Sequence, residues 1–185
     1  MNRYESDKKI NMIVMTGLMM CLILVATSLF KVPVPFTQGY VHLGDAMIFL
    51  SVLVLGKKNG SIAAGFGSAL GDILGGYAMW APWTFVIKFA MAFVMGIFVE
   101  AMEKRGHKTG NKGVCLIEVL GMILGGAEMA GGYFIAERFI YGNWTVAALA
   151  IPWNIGQFTV GMIVATVLAA ALYKTPAKKF FAIKN

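Results

Sequence analysis

Long apolar runs, alternate ones closed by a short basic cluster, constrain this chain more than any other feature. The runs cover residues 10–30, 43–55, 61–77, 82–102, 114–140 and 147–173. Arg3, Lys8 and Lys9 precede the first. Lys57 and Lys58 follow the second, Lys104, Arg105, Lys108 and Lys112 follow the fourth, and Lys174, Lys178, Lys179 and Lys184 follow the last. A helix that crosses a bilayer needs about 20 predominantly apolar residues, with latitude for tilt. The chain is therefore predicted to be an all-α integral membrane protein, a single domain of six transmembrane helices over residues 1–185. Composition agrees: 58% of residues are apolar, 14% are charged and the mean hydropathy is +0.72. A soluble domain is about a quarter charged. These values exclude a secreted disulfide scaffold, a disordered tail and an ordinary cytosolic enzyme.

The net charge of +7 does not point to nucleic acid, because no continuous basic face follows a phosphate backbone. The basic clusters instead follow the positive-inside rule. Both termini are expected in the cytoplasm, with the poorly charged loops outside. The 31–42 segment carries Pro33, Pro35 and Gly39, so it cannot continue a helix and reads as a structured outer loop. The 43–55 run is short for a bilayer, so it is either tilted or shares its depth with that loop. Cys21 and Cys115 lie in or beside apolar runs and read as small hydrophobes.

A charge inside a bilayer costs about 2.5–3.5 kcal/mol on insertion scales, so each one calls for a partner or a function. This topology puts Asp45, Asp72, Lys88, Glu137, Arg138, Asn154 and Gln157 in the outer half. Lys88 falls about 10 Å below the outer end of its helix at 1.5 Å per residue. Glu128 is near the middle and Glu118 alone is near the cytoplasm. The pattern describes a pocket open to the outside and closed below. Lys88 either contacts a ligand or pairs with Asp72 or Asp45. Tyr40, Trp80, Trp83, Trp144 and Trp153 share the outer level, as an interfacial belt or as stacking surfaces for a planar ligand. Glu137 and Arg138 read as solvated at a helix end. Gly17 and Cys21, Gly67 with Gly71 and Gly75, Gly121 with Gly125, and Ala165 with Ala169 are small-residue pairs that let helices approach. The sequence has no phosphate loop, no nucleophile with a membrane histidine and no metal-ligand spacing. The expectation is a protein without enzymatic activity, cofactor or metal.

Four stretches carry a resemblance: GYVHLGD over residues 39–45, LGKK over 55–58, GFGSALGD over 65–72, and GGYAMWAP over 75–82 with Thr84, Ile87 and Lys88 after it. They resemble the substrate-binding S component of energy-coupling factor (ECF) vitamin transporters. The nearest branch is the riboflavin type, with relatives for hydroxymethylpyrimidine and pyridoxine. The resemblance implies a prokaryotic cell-membrane protein that captures a small heteroaromatic vitamin from outside. It implies as partners a transmembrane coupling subunit and two ATPase subunits. It places the coupling-subunit interface on the first helix, where Gly17 and Cys21 stand in the TGLMMC stretch of residues 16–21. It makes the 31–42 loop a lid. The candidate ligand-binding residues are Gln38, Tyr40, His42, Trp83, Lys88, Glu128, Asn154 and Gln157. Asp45 and Asp72 are polar groups of the same pocket or structural partners within it. The competing reading is a self-sufficient proton-coupled carrier with Lys88, Asp72 and Glu128 as the relay.

Overall fold

A computed structural model describes residues 3–35, 39–107 and 113–177. Five helices are long and apolar enough to cross a membrane: α1 (Arg3–Leu29), α2 (Gly44–Leu74), α3 (Ala81–Lys104), α4 (Leu116–Tyr141) and α5 (Trp144–Tyr173). Between α1 and α2 runs a small antiparallel hairpin, β1 (Lys31–Pro33) and β2 (Tyr40–His42), in which Lys31 pairs with His42 and Val32 with Val41. The Val34 amide donates to the Gly39 carbonyl across its base at 3.1 Å. The expected structured loop is thus a strand pair. Gln38 lies outside the described residues, as do Lys108, Lys112, Lys178, Lys179 and Lys184.

The 43–55 and 61–77 runs, expected as two helices joined by a loop over 56–60, are joined by a single residue. Gly56 has φ 73° and ψ 179° inside α2, a region that essentially only glycine occupies. The chain reverses there. The Ser51 hydroxyl, 2.7 Å from the Ile48 carbonyl on its own arm, is also 3.3 Å from the Gly60 carbonyl on the other. A side-chain carbon at Gly60 would sit 2.9 Å from Val52 Cα. In a straight helix residues eight or nine apart are about 12–14 Å apart along the axis. The arm before Gly56 is roughly 18 Å long at 1.5 Å per residue, shorter than a hydrocarbon core. The hairpin lies at its open end. Lys57–Gly60 are helical rather than a loop, and α2 stops at Leu74 rather than residue 77.

Local chemistry sets the other ends. Pro82 lies in the first turn of α3, where its missing N–H costs nothing. Gly142 closes α4 in the left-handed conformation (φ 67°). The Asn143 side chain then caps α5, accepting from Thr145 N at 2.8 Å. Glu118 is buried at the start of α4, where it accepts from the Cys115 amide at 2.7 Å.

Glycines set the helix spacing. Added carbons at Gly67 and Gly71 would meet α1 at Met20 O and Thr27, and one at Gly125 would lie 2.6 Å from Met91 O on α3. Gly161 on α5 faces Asp45 Cβ at 2.8 Å. Gly96 on α3 faces Lys57, whose ammonium pairs with Glu100 at 2.7 Å. These contacts run α1 alongside the second arm of α2, antiparallel to α3. Lys57, Lys104 and Lys174 therefore share the end of the bundle opposite the hairpin. Between the two ends the core is predominantly apolar, built on Ile48, Phe49, Leu53, Met91, Met95 and Met122.

Gly56→Ala is expected to destabilise the fold by about 1–3 kcal/mol through backbone strain. That lowers the unfolding temperature in detergent by several degrees, at about 2–4 °C per kcal/mol for a chain of this size. Gly17→Ala, where a Cβ meets nothing within 4 Å, should not lower it. Equal melting of the two variants would contradict the reversal at Gly56.

Candidate functional site

At the hairpin end the polar groups form two connected sets. The deeper one is an ion pair. Lys88 on α3 and Asp45 in the first turn of α2 are both fully buried, with Lys88 Nζ 2.5 Å from Asp45 Oδ1. Gln157 on α5 donates from Nε2 to Asp45 Oδ2 at 2.9 Å. Its Oε1 accepts from the His42 amide at 2.9 Å. His42 Nδ1 in turn accepts from the Gly44 amide at 3.0 Å. Burial, and then the Lys88 ammonium, push the His42 imidazole down to about 3, so it is neutral at physiological pH and acts as an acceptor. Of its two candidate carboxylate partners, Lys88 pairs with Asp45.

The second set lines a cavity of about 30 Å³ between the hairpin and the helices. Its walls are Val34, Gly39, Tyr40 and His42 from the hairpin segment, Asp72 from α2, Trp80 and Thr84 at the start of α3, Tyr133 and Glu137 from α4, and Ala150, Asn154 and Gln157 from α5. The Tyr40 hydroxyl donates to Asp72 Oδ1 at 2.6 Å. Burial and the Asp72 charge push the Tyr40 phenol upward, so it keeps the proton it donates. The Tyr133 hydroxyl donates to Thr84 Oγ1 at 3.1 Å. Outside this wall the Lys31 ammonium lies 4.5 Å from the centre of the Tyr40 ring and 5.1 Å from that of Tyr77. It occupies the space a side chain at Gly75 would fill. The hairpin is thereby fastened to the end of α2 by a cation over two aromatic faces. At about 30 Å³ the cavity has room for little more than water.

Of the residues singled out in the sequence, Tyr40, His42, Asp72, Asn154 and Gln157 come together on this lining. Lys88 and Asp45 lie beneath it as a pair. Glu128 is half-buried on α4 and is not part of the wall, and its Oε2 has no hydrogen-bond partner. Trp83 is 36% exposed and stacks on Phe139 with ring centres 5.9 Å apart. It faces outward, one residue around the helix from Thr84. Glu137, expected to be solvated, is buried on the lining. Its neighbour Arg138 has its guanidinium 5.2 Å from the centre of the Trp144 ring. Thr84 and Tyr133 are site residues absent from the sequence-based candidates. Their signal is spacing: Thr84 lies four residues from both Trp80 and Lys88, and Tyr133 four from Glu137, so each shares a helix face with a stronger candidate. Gly17 and Cys21 are remote from this end. Both border open space on α1, where Gly17 shares a groove with Lys9, Met12, Thr16, Met20, Asn59 and Ile62.

The described residues form a membrane-type helical bundle with a small polar cavity under a hairpin. Residues 7–174 match the family described as the ECF-type riboflavin transporter, S component, and the chain belongs to that family. The family is one of transporter subunits, not of enzymes. The chain is 38% identical over 118 residues to an uncharacterised protein of Pyrococcus woesei, covering 64% of this chain and 72% of that one. It is 26% identical over 170 residues to the thiamine precursor transporter HmpT of Lactococcus lactis subsp. cremoris, covering 91% of this chain and 92% of that one. Its fold superposes on the crystal structure of the S component for biotin from an ECF-type ABC transporter. The TM-score is 0.74 at 16% identity, over 98% of this chain and 99% of the other. The shared architecture is the ECF S-component fold.

Removing one partner of a buried ion pair costs about 3–5 kcal/mol, because the other charge is left uncompensated. Lys88→Met is expected to destabilise by that amount, and adding Asp45→Asn to recover most of it. Thermal unfolding of the three purified proteins checks this. A double variant no more stable than Lys88→Met would show that the pair does not hold the helices.

Proposed function

We propose that the chain is the ligand-capturing subunit of an ATP-driven importer in a prokaryotic cell membrane. It takes a small heteroaromatic vitamin or precursor (hydroxymethylpyrimidine, pyridoxine or riboflavin) from outside and is driven by a transmembrane coupling subunit with two ATPase subunits. The observation that carries this reading is the partition of polarity. The cavity polar groups gather under the hairpin, and the core beyond the Lys88–Asp45 pair is predominantly apolar, interrupted by buried Ser51, Ser61 and Glu118. A relay of protons through Lys88, Asp72 and Glu128 is not favoured, because Lys88 is held by Asp45 and Asp72 accepts from Tyr40. The thiamine-precursor relative supports a ligand of one-ring size.

In this reading the two arms of α2 are separate membrane segments. Six segments then place both termini in the cytoplasm, with the basic clusters beside them and the hairpin outside. Tyr40, His42, Asn154 and Gln157 with Gln38 form the ligand shell, Asp72 bridges shell and lid, and Lys88 and Asp45 hold the helices beneath it. Glu128 and Trp83 belong to this set only if the bundle rearranges around a ligand. Gly17 and Cys21 form the docking strip for the coupling subunit. Support for that strip comes from its openness, since the glycine pairs of α2 and α4 are filled by neighbouring helices.

Two measurements test the reading. Cysteines introduced at Lys108 and Asn143 should label from opposite faces of the membrane, and labelling of both from outside would contradict the topology. Gly17→Leu with Cys21→Leu should abolish uptake in proteoliposomes containing the ATP-driven partners, by overlap at the docked helix, while ligand affinity of the isolated chain stays within about threefold. Asn154→Ala should do the reverse, weakening the ligand by about ten- to a hundredfold with assembly intact. Full-rate uptake by the isolated chain without ATP would overturn the importer reading.

A further inference from the structure

Three polar atoms on the cavity lining have no hydrogen-bond partner of good geometry: Asp72 Oδ2, although the Thr84 hydroxyl is close enough to favour the charged carboxylate, Glu137 Oε2 and Trp80 Nε1. Their residues are at most 5% exposed. They come from α2, α4 and the residue preceding α3, so no single local distortion explains them. Buried polar groups are almost always paired, and those left unpaired call for an explanation. Here three orphans meet in one cavity. Two are carboxylate oxygens, which only accept, and one is an indole N–H, which only donates.

The lining is also short of positive charge. Among its residues none is Lys or Arg, and the His42 ring accepts from Gly44. Lys88 is held by Asp45 below the wall, and Lys31 lies over the Tyr40 and Tyr77 rings outside it. An anionic ligand would face two carboxylates with no cation to offset them in a region of low dielectric. A ligand with N–H or O–H donors would complete both carboxylates with charge-assisted bonds.

Resting on the vitamin-capture reading above, we infer that the ligand of this cavity is a single-ring, amino-substituted nitrogen heterocycle without an anionic group. It brings at least two hydrogen-bond donors to Asp72 and Glu137 and a ring-nitrogen acceptor to Trp80. An amino group next to a ring nitrogen places a donor and an acceptor on one edge, which is the combination the three orphans lack. The position of Asp72 adds a second consequence. Its Oδ1 already accepts from Tyr40 on the hairpin, so a ligand donor on Oδ2 fills the carboxylate from the cavity side while the hairpin stays fastened. A cavity of about 30 Å³ must widen for any ring, and a three-ring flavin demands far more displacement of the hairpin than a pyrimidine does.

The test is equilibrium binding to the purified full chain in detergent. The probes are hydroxymethylpyrimidine, its analogue with oxygen in place of the amino group, pyridoxine, riboflavin and biotin. The amino compound is expected to bind at least about tenfold tighter than the oxygen analogue. Glu137→Gln and Asp72→Asn keep the side-chain shape. Each should weaken the amino compound by about ten- to a hundredfold and narrow its advantage over the oxygen analogue, and Glu137→Gln should leave the ligand-free melting temperature unchanged or higher. If riboflavin, pyridoxine or biotin binds tighter than the amino compound, or if both variants bind as the native chain does, the inference is wrong and vitamin capture stands. If none of the probes binds, both are wrong.

Discussion

The pairing of Lys88 with Asp45 is the interaction on which the hairpin end of the bundle depends. Two unit charges in a bilayer-embedded core survive only with close partners. Here the carboxylate receives the ammonium on one oxygen and the Gln157 amide on the other. The same amide accepts from the His42 backbone. One carboxylate therefore joins α2, α3, α5 and the hairpin. Gly161 makes this possible, because α5 can approach Asp45 only where it has no side chain. The position of Asp45 in the first turn of α2 helps as well, since a carboxylate is favoured at a helix N-terminus. The cavity is built on top of this junction and borrows two of its members, His42 and Gln157, for its own wall.

Much of the architecture is legible in the sequence because lipid leaves the chain few choices. All six apolar runs end within three residues of observed helix termini or of the Gly56 reversal, and Pro82 and Asn143 stand at the starts of α3 and α5, where their chemistry suits them. The 43–61 region misleads at its connection. Gly56, two lysines and Gly60 look like a loop, yet one glycine with positive φ turns the chain and the lysines resume the helix. The first helix begins well before the apolar run because Arg3–Lys9 continue it. Nothing in hydropathy marks that start.

The site is legible in its charges and poorly legible in its neutral groups. Depth alone puts Asp45, Asp72, Lys88, Asn154 and Gln157 at one end, since each is costly in lipid. It does not tell which carboxylate Lys88 chooses, because Asp45 and Asp72 flank the same space. Thr84 and Tyr133 carry no such cost and disappear inside hydrophobic stretches. Trp83 is misplaced by an argument from level that ignores face. At 3.6 residues per turn, Trp80, Thr84 and Lys88 fall on one side of α3, and Trp83 is rotated about 100° from Thr84. Likewise the small-residue pairs look alike in sequence. Only neighbours distinguish them: Gly67, Gly71, Gly121 and Gly125 are filled by adjacent helices, whereas Gly17 is open.

The hairpin is fastened at the two ends of β2 by forces of different kinds. At His42 its backbone is tied to Gln157 and through it to the ion pair, so moving that end of the strand disturbs the whole buried junction. At Tyr40 it is held by one hydroxyl on Asp72 and by the Lys31 cation over two rings. The Tyr40, Lys31 and Tyr77 side chains are only half-buried, and a cation over an aromatic face is worth about 0.5–1 kcal/mol where water reaches it. Because the cavity holds little more than water, the vitamin-capture reading requires a fastening of the hairpin to release before a ring can enter. The Tyr40 side is the weaker, and Asp72, which holds it, lines the cavity with an oxygen that has no partner of good geometry. In that reading, fastening the hairpin and receiving a ligand converge on one carboxylate, while the ion pair beneath keeps the helices in register.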